Sequence, residues 1–365
     1  MNSSFKYIQQ IISLVFVAIF SSIILANSDL DTLARTIHIH HLNQPALAEI
    51  PTVSINALVN YLHNLDPHSD YYTEKAYNQQ KNQINDTEKL GVIVSKTKND
   101  EFLFIPHENG PAYNSGLQRP TLVEIINAQE AKNLELNELN NLVQSSSELK
   151  LKGKDAISDK PVQLIVRPEK FSTPLVERML YKHAIVLRVN YFIQTKTFLA
   201  LKNELTKLRN EKIPLILDLR YNSGGDFFAA IDCVSLFYAG NNPVASLQYP
   251  DSKLVPFLGR SDIIVYHRPF FIIISELTAS AAEVFARALQ FYQRAVILGH
   301  ASEGKCTSQQ YFDLPSGDAL KLTTAIILGP DGQFCDGQGI APTLTIDENI
   351  HDTQELINRL IGFSD

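Results

Sequence analysis

Apolar residues in this chain gather into short runs separated by polar turns, and the runs alternate with stretches of helical periodicity. The clearest run is Phe270-Phe271-Ile272-Ile273-Ile274, which has the length of a strand. The turn Ser275-Glu276-Leu277 follows, Thr278-Ala279-Ser280-Ala281-Ala282-Glu283 opens an amphipathic helix to about Gln290, and Ala295–Gly299 is a second apolar run. Such runs read as buried strands, and apolar positions three and four apart read as helix. The same pattern predicts a strand over Ala184–Val189 and a helix over Thr195–Asn210 with Phe198, Leu201, Leu205 and Leu208 on one face. A buried strand over Leu215–Leu219 and a helix over Phe227–Ala239 come next. Gln310–Leu314 and Ala319–Leu328 read as strands joined at Pro315-Ser316-Gly317-Asp318, and Thr353–Leu360 as a closing helix. The fold class is α/β.

Ahead of this core the pattern changes. Residues 86–168 are β-rich, with strands predicted over Leu90–Ser95, Phe102–Ile105, Leu122–Ile126 and Val162–Val166. One helix is predicted over Glu135–Gln144, with Leu136, Leu139 and Val143 on one face. Residues 169–183 read as a polar connection. Residues 27–85 are polar with helical stretches, and Val53, Ala57, Leu58, Tyr61, Leu62 and Leu65 keep helical spacing until Asp66-Pro67 ends the helix. At the start, Lys6 precedes an apolar run from Ile11 to Ala26. That run is short of the roughly 20 residues that span a bilayer. Residues 1–26 therefore read as an export signal cleaved after Ile24-Leu25-Ala26, an uncleaved membrane anchor being the alternative. Either puts the remainder outside the cytoplasm.

Composition mainly excludes. A chain of 365 residues allows two or three domains, and 45% hydrophobic residues suffice for a sizeable core. A net charge of −7 argues against a nucleic-acid surface. The three cysteines, Cys233, Cys306 and Cys335, match no zinc spacing and are too few for a disulfide scaffold. His63 and His68 read as solvated loop residues rather than metal ligands. No metal and no cofactor is expected.

Candidate chemistry centres on Ser280 and Lys305. Ser280 stands at a strand-to-helix junction, and Lys305 lies 25 residues later in the loop Gly304-Lys305-Cys306. A serine hydroxyl is a weak nucleophile until a base takes its proton. A helix N-terminus offers free N–H groups to a developing oxyanion, with the N–H of Ala281 as a natural donor. A lysine acts as base only when neutral, for which apolar surroundings are suited. Taken singly, Ser280 reads as an N-cap and Lys305 as a solvated side chain.

Two motifs carry a resemblance to the carboxyl-terminal processing peptidases. Their nucleophile motif, roughly S-A-S-A-S-E, is matched by Thr278-Ala279-Ser280-Ala281-Ala282-Glu283, and their G-K-G-x-x-Q by Gly304-Lys305-Cys306-Thr307-Ser308-Gln309. Leu65-Asp66-Pro67-His68-Ser69-Asp70-Tyr71-Tyr72 resembles the family's L-D-P-H-S-x-Y, and Asp218-Leu219-Arg220-Tyr221-Asn222-Ser223-Gly224-Gly225 resembles D-L-R-x-N-x-G-G. Asn109-Gly110-Pro111-Ala112 with Ser115-Gly116-Leu117 is similar to the G-x-P-A-x-x-A-G-L segment of a PDZ domain. Leu320–Ala325 and Gly337–Pro342 resemble the A-L-K-L-T-T-A and G-x-G-I-x-P segments of the core. Departures occur at Gln118-Arg119, where the family usually has G-D, and at Ala282, Ser223 and Cys306, where it often has Ser, Pro and Gly.

The resemblance implies a crotonase/ClpP-like α/β spiral protease core over residues 169–348. It implies an inserted PDZ domain over 86–168, a helical N-terminal region over 27–85 and a C-terminal helix over 349–365. The implied activity is that of an exported serine endopeptidase cleaving proteins near their C-termini. Ser280 would be the nucleophile, Lys305 the base and Gln309 the residue that orients it. Oxyanion donors would be Ala281 and Gly224 or Gly225. Leu90, Gly91 and Val92 would receive a substrate's terminal carboxylate beside Leu136 and Leu139, the peptide adding as a strand. Partners would be protein or peptide substrates with accessible C-termini, with membrane association through the N-terminal segment and a homo-oligomer or adaptor left open. In a bacterium the location would be periplasmic or cell-envelope. Two rivals stand: an inactive peptide-binding protein that kept the fold, and a Ser–His–Asp hydrolase, for which His300 is the near candidate. In the resembled fold Cys306 and Cys335 could approach and form a disulfide, two free thiols being the alternative.

Overall fold

The computed structural model describes residues 30–82, 88–97, 99–260, 265–333, 336–346 and 349–361. The export segment expected at 1–26 lies outside them, and so does Cys335. The chain forms two compact units, one from the residues up to Gln79 with Gln248–Leu254 and Thr307–Ile326, the other from Gln80–Leu247, Val255–Cys306 and Ile327–Asp365.

In the first unit, helices over residues 30–40 and Ile55–Leu65 bury Leu30, Leu33, Ile37, Leu58 and Leu62 against Leu320 and Leu322. Ser54 caps the second helix by accepting from the N–H of Ala57 at 3.1 Å. Leu320 and Leu322 belong to an antiparallel hairpin whose arms are Thr307–Asp313 and Ala319–Leu328. The first arm starts three residues earlier than its apolar residues suggested. Asp70–Tyr72 pairs with the second arm, and Ser69 accepts from the N–H of Thr323 at 2.9 Å while donating to Asp66.

The second unit is built on a six-stranded sheet of β1 (Val176–Leu180), β2 (Ile185–Val189), β3 (Leu215–Asp218), β4 (Phe270–Ile274), β5 (Ala295–Gly299) and β6 (Leu344–Thr345). Its helices are α1 (Lys196–Lys207), α2 (Phe227–Val234), α3 (Ala281–Phe291) and α4 (Thr353–Ile361). The strands lie side by side in sequence order, β1 antiparallel to β2 and the rest parallel. Crossovers that always step the same way, each right-handed, put their helices on one face. There α1 packs on α2 and α2 on α3. On the other face Val186, Ile216, Ile273 and Leu298 pack with Leu356 and Ile357 of α4. Strand β1 falls where a polar connection was predicted. Glu177 hid it, because this inward position carries a carboxylate that takes a hydrogen bond from His107 at 2.8 Å.

Residues 88–170 of the same unit form a β-module. Strands Val92–Lys96, Phe102–Pro106, Thr121–Ile126, Leu149–Asp155 and Pro161–Val166 pair antiparallel in that order around Phe102, Phe104, Leu117, Val123, Leu139 and Leu149. The strand Leu149–Asp155 escaped the sequence reading although Leu149, Leu151 and Gly153 alternate inward between lysines. The module enters through Glu88–Lys89 and leaves through Glu169–Lys170, which pair with each other. Its two ends therefore meet.

Candidate active site

Two turns at the C-terminal ends of β3 and β4 are laced together. Asn222 donates from Nδ2 to the carbonyl of Val189 at 2.8 Å, and its Oδ1 accepts from the N–H of Gly224 at 2.8 Å. Thr278 Oγ1 accepts from the N–H of Ser275 at 2.9 Å and donates to the carbonyl of Leu219 at 2.8 Å. The N–H of Ala279 donates to the carbonyl of Asn222 at 3.1 Å. Beneath them Arg220 grips the buried Asp218 with Nε and Nη2, at 2.9 and 2.8 Å, and reaches Thr353 Oγ1 at 2.6 Å. Burial opposes ionisation of Asp218, and the Arg220 and Arg188 charges outweigh it, holding the carboxyl well below its usual range. Asp218 and Arg220 thus brace the turn.

Ser280 stands where the second turn becomes α3, with φ 54° and ψ −122°. Few residues other than glycine adopt this conformation, and such strain at a strand-to-helix turn exposes a side chain at the sheet's end. Gly224 presses against it. A Cβ on Gly224 would lie 2.8 Å from the Ser280 Cβ and 3.0 Å from the Ala281 nitrogen. The Gly224 N–H is occupied by Asn222, so of the two glycines Gly225 is the better oxyanion donor, alongside Ala281 at the first position of α3.

The loop carrying Lys305 is joined to this turn by Glu283, a residue given no role from the sequence. Its Oε2 accepts from the N–H of Ser280 at 2.7 Å and the N–H of Lys305 at 2.9 Å. Its Oε1 accepts from Ser302 Oγ at 2.6 Å and the N–H of Gly304 at 2.8 Å. Burial pushes the Glu283 carboxyl up, and the four donors oppose that without cancelling it. The N–H of Glu303 donates to the carbonyl of Thr278 at 2.9 Å, and the carbonyl of Gly304 accepts from the N–H of Gly337 at 2.7 Å. Lys305 and Ser280 are each half-buried. The sequence signal for Glu283 was its place three residues after a helix-capping serine.

The other expected residues fall as follows. Gln309 belongs to the first unit, where its Nε2 donates to Thr307 Oγ1 at 2.9 Å. Leu90 and Leu139 are buried in the core of the β-module, and Gly91 accepts from the N–H of His107 at 2.9 Å. Val92 opens the module's first strand and Leu136 its helix. His300 is bonded to Glu276 at 3.3 Å and to the carbonyl of Ile346 at 2.8 Å. Cys306 is buried and disulfide-bonded, whereas Cys233 is a free thiol. Among the described residues no group of three or more His, Cys, Asp or Glu could hold a metal ion, and no helix is long and apolar enough to cross a membrane.

Comparison with known proteins supports a serine-type peptidase. Residues 184–346 match the model of peptidase family S41. A carboxy-terminal-processing protease of Bartonella bacilliformis is 26% identical over 85% of this chain and 73% of its own length. A "Probable CtpA-like serine protease" of Staphylococcus saprophyticus is 24% identical over 88% of this chain and 66% of its own length. The solved photosystem II D1 C-terminal processing protease superposes with a TM-score of 0.68 at 18% identity, covering 93% of this chain and 97% of that one. The chain is thus similar to peptidase family S41 over residues 184–346 and to carboxy-terminal-processing proteases over most of its length.

Proposed function

We propose that this protein is an exported endopeptidase that cleaves proteins near their C-termini with a Ser280–Lys305 pair. The Ser280 hydroxyl attacks the scissile carbonyl. The Lys305 amine takes the hydroxyl proton and returns it to the leaving amine, and water then hydrolyses the acyl-enzyme. The oxyanion is received by the N–H groups of Ala281 and Gly225, with Gly224 shaping the turn. The β-module acts as a PDZ domain, its Leu90-Gly91-Val92 segment receiving the substrate's terminal carboxylate. The observation that carries this reading is the strained backbone of Ser280, at φ 54°, held against Gly224 at the start of α3. Strain of that kind persists where the surrounding structure enforces it, and it concentrates at reactive groups.

The test is incubation with an unfolded protein, cleavage sites being read by mass spectrometry. Ser280→Ala and Lys305→Ala should each fold and lose at least about 10³-fold in activity, the double variant being little worse than either single one. Substantial cleavage by a folded Lys305→Ala variant would overturn the pair. Failure of the wild-type chain to react with a serine-directed fluorophosphonate would leave the inactive peptide-binding reading.

A further inference from the structure

We propose that Glu283 is a positioning residue for proteolysis, its single carboxylate holding the backbones of Ser280 and Lys305 together. The inference rests on reading those two residues as the reactive pair. Glu283 is 1% exposed and lies in the first turn of α3. An ordinary cap at this position needs one bond, from the carboxylate back to the N-cap N–H. Here that bond, from Ser280, is joined by three more from a loop that follows about twenty residues later: Ser302 Oγ, Gly304 N–H and Lys305 N–H. A carboxylate has about four acceptor sites, and all are filled. Ser302 is itself fixed, because its Oγ accepts from the N–H of Ile340 at 2.6 Å. One buried side chain therefore ties the lysine loop to the nucleophile, beside the backbone bond from the N–H of Glu303 to the carbonyl of Thr278.

The chemistry of the replacement is specific. A glutamine's carbonyl oxygen could accept from Ser280 and Lys305, and its amide could donate to Ser302 Oγ, a hydroxyl being able to accept. The N–H of Gly304 would then face an amide N–H with no acceptor, and an unpaired buried donor drives local rearrangement. The residue displaced is the neighbour of Lys305.

The experiment uses the full chain, with Glu283→Gln and Ser302→Ala compared to wild type. It measures kcat and KM on an unfolded protein substrate, the rate of labelling by a fluorophosphonate, and the thermal transition. In folded Glu283→Gln, kcat should fall about 10²-fold, as expected when reacting groups shift by about 1 Å. KM should stay within about threefold, and the labelling rate should fall in parallel with kcat. Ser302→Ala should show the same split with a smaller loss, about tenfold, because one of the four donors is removed. A role confined to folding would lower the transition temperature without this split. Wild-type kcat in folded Glu283→Gln, or a loss expressed in KM alone, would overturn the inference. Should Glu283→Gln not fold, wild-type kcat in Ser302→Ala would do so instead. Ser280→Ala and Lys305→Ala run alongside. If they are active the pair itself is wrong and this inference falls with it; if they are inactive beside a fully active Glu283→Gln, this inference alone fails.

Discussion

Replacing Gly224 by alanine tests the packing of the nucleophile turn, and Gly116 supplies its control. Both glycines have φ 108°. A Cβ at Gly116 would meet nothing within 4 Å, so Gly116→Ala carries only the dihedral strain, on the order of 1–3 kcal/mol. A Cβ at Gly224 would stand 2.8 Å from the Ala279 oxygen, 2.8 Å from the Ser280 Cβ and 3.0 Å from the Ala281 nitrogen. Those atoms are backbone or the root of a side chain, so no rotamer change relieves them. Overpacking of this kind adds about 1–3 kcal/mol to the same strain. Relief by movement pushes Ser280 and Ala281 away from Gly224, and a displacement near 1 Å at reacting groups lowers kcat about 10²-fold. Urea unfolding and steady-state proteolysis on both variants give the two differences. The reasoning is refuted if Gly224→Ala matches Gly116→Ala in stability and keeps wild-type kcat.

Three further outcomes are expected. Burial, then the Arg220 charge, depress His351 to about 4. The unfolded chain therefore takes up a proton first as pH falls through about 6.5, and stability present above that pH drops by about 2 kcal/mol between pH 6.5 and 5. Urea midpoints of His351→Gln should lack this slope, and an unchanged slope would refute the assignment. Cys306 is disulfide-bonded and Cys233 is free. A disulfide typically stabilises by about 2–4 kcal/mol, so reductant should lower the thermal transition, and free alkylation of Cys306 in unreduced protein would refute the bond. Peptides with free C-termini should bind the Ser280→Ala chain more tightly than amidated ones; equal binding would refute carboxylate capture by the β-module.

Much of the sheet was legible because its strands are apolar on both faces. Phe270–Ile274 and Ala295–Gly299 have the bounds their apolar runs predict, since each lies between two neighbours with a helix layer above and α4 or loops below. Helix ends were less legible. The apolar spacing continues to Ala239, yet α2 stops at Val234, because the N–H groups of Ser235 and Leu236 turn to carbonyls three residues back. Strand β1 was missed because a buried carboxylate looks like a surface residue until His107 from the β-module is seen beside it.

The sequence by itself determined the α/β class, the helix that begins at Ser280, and the pairing of two motifs that named Ser280 and Lys305. These are local matters of periodicity, capping and residue identity. Only the tertiary structure decided that the Gly224 N–H is spent on Asn222, that Ser280 holds a positive φ, and that Glu283 joins the nucleophile to the lysine loop. The Glu283 bond to the N–H of Lys305 joins residues 22 apart, and Asn222 is fixed for Gly224 by its bond to Val189, 33 residues away. A hydrogen bond across such a span leaves no periodic trace in the sequence, because it constrains one donor and one acceptor rather than a repeating face.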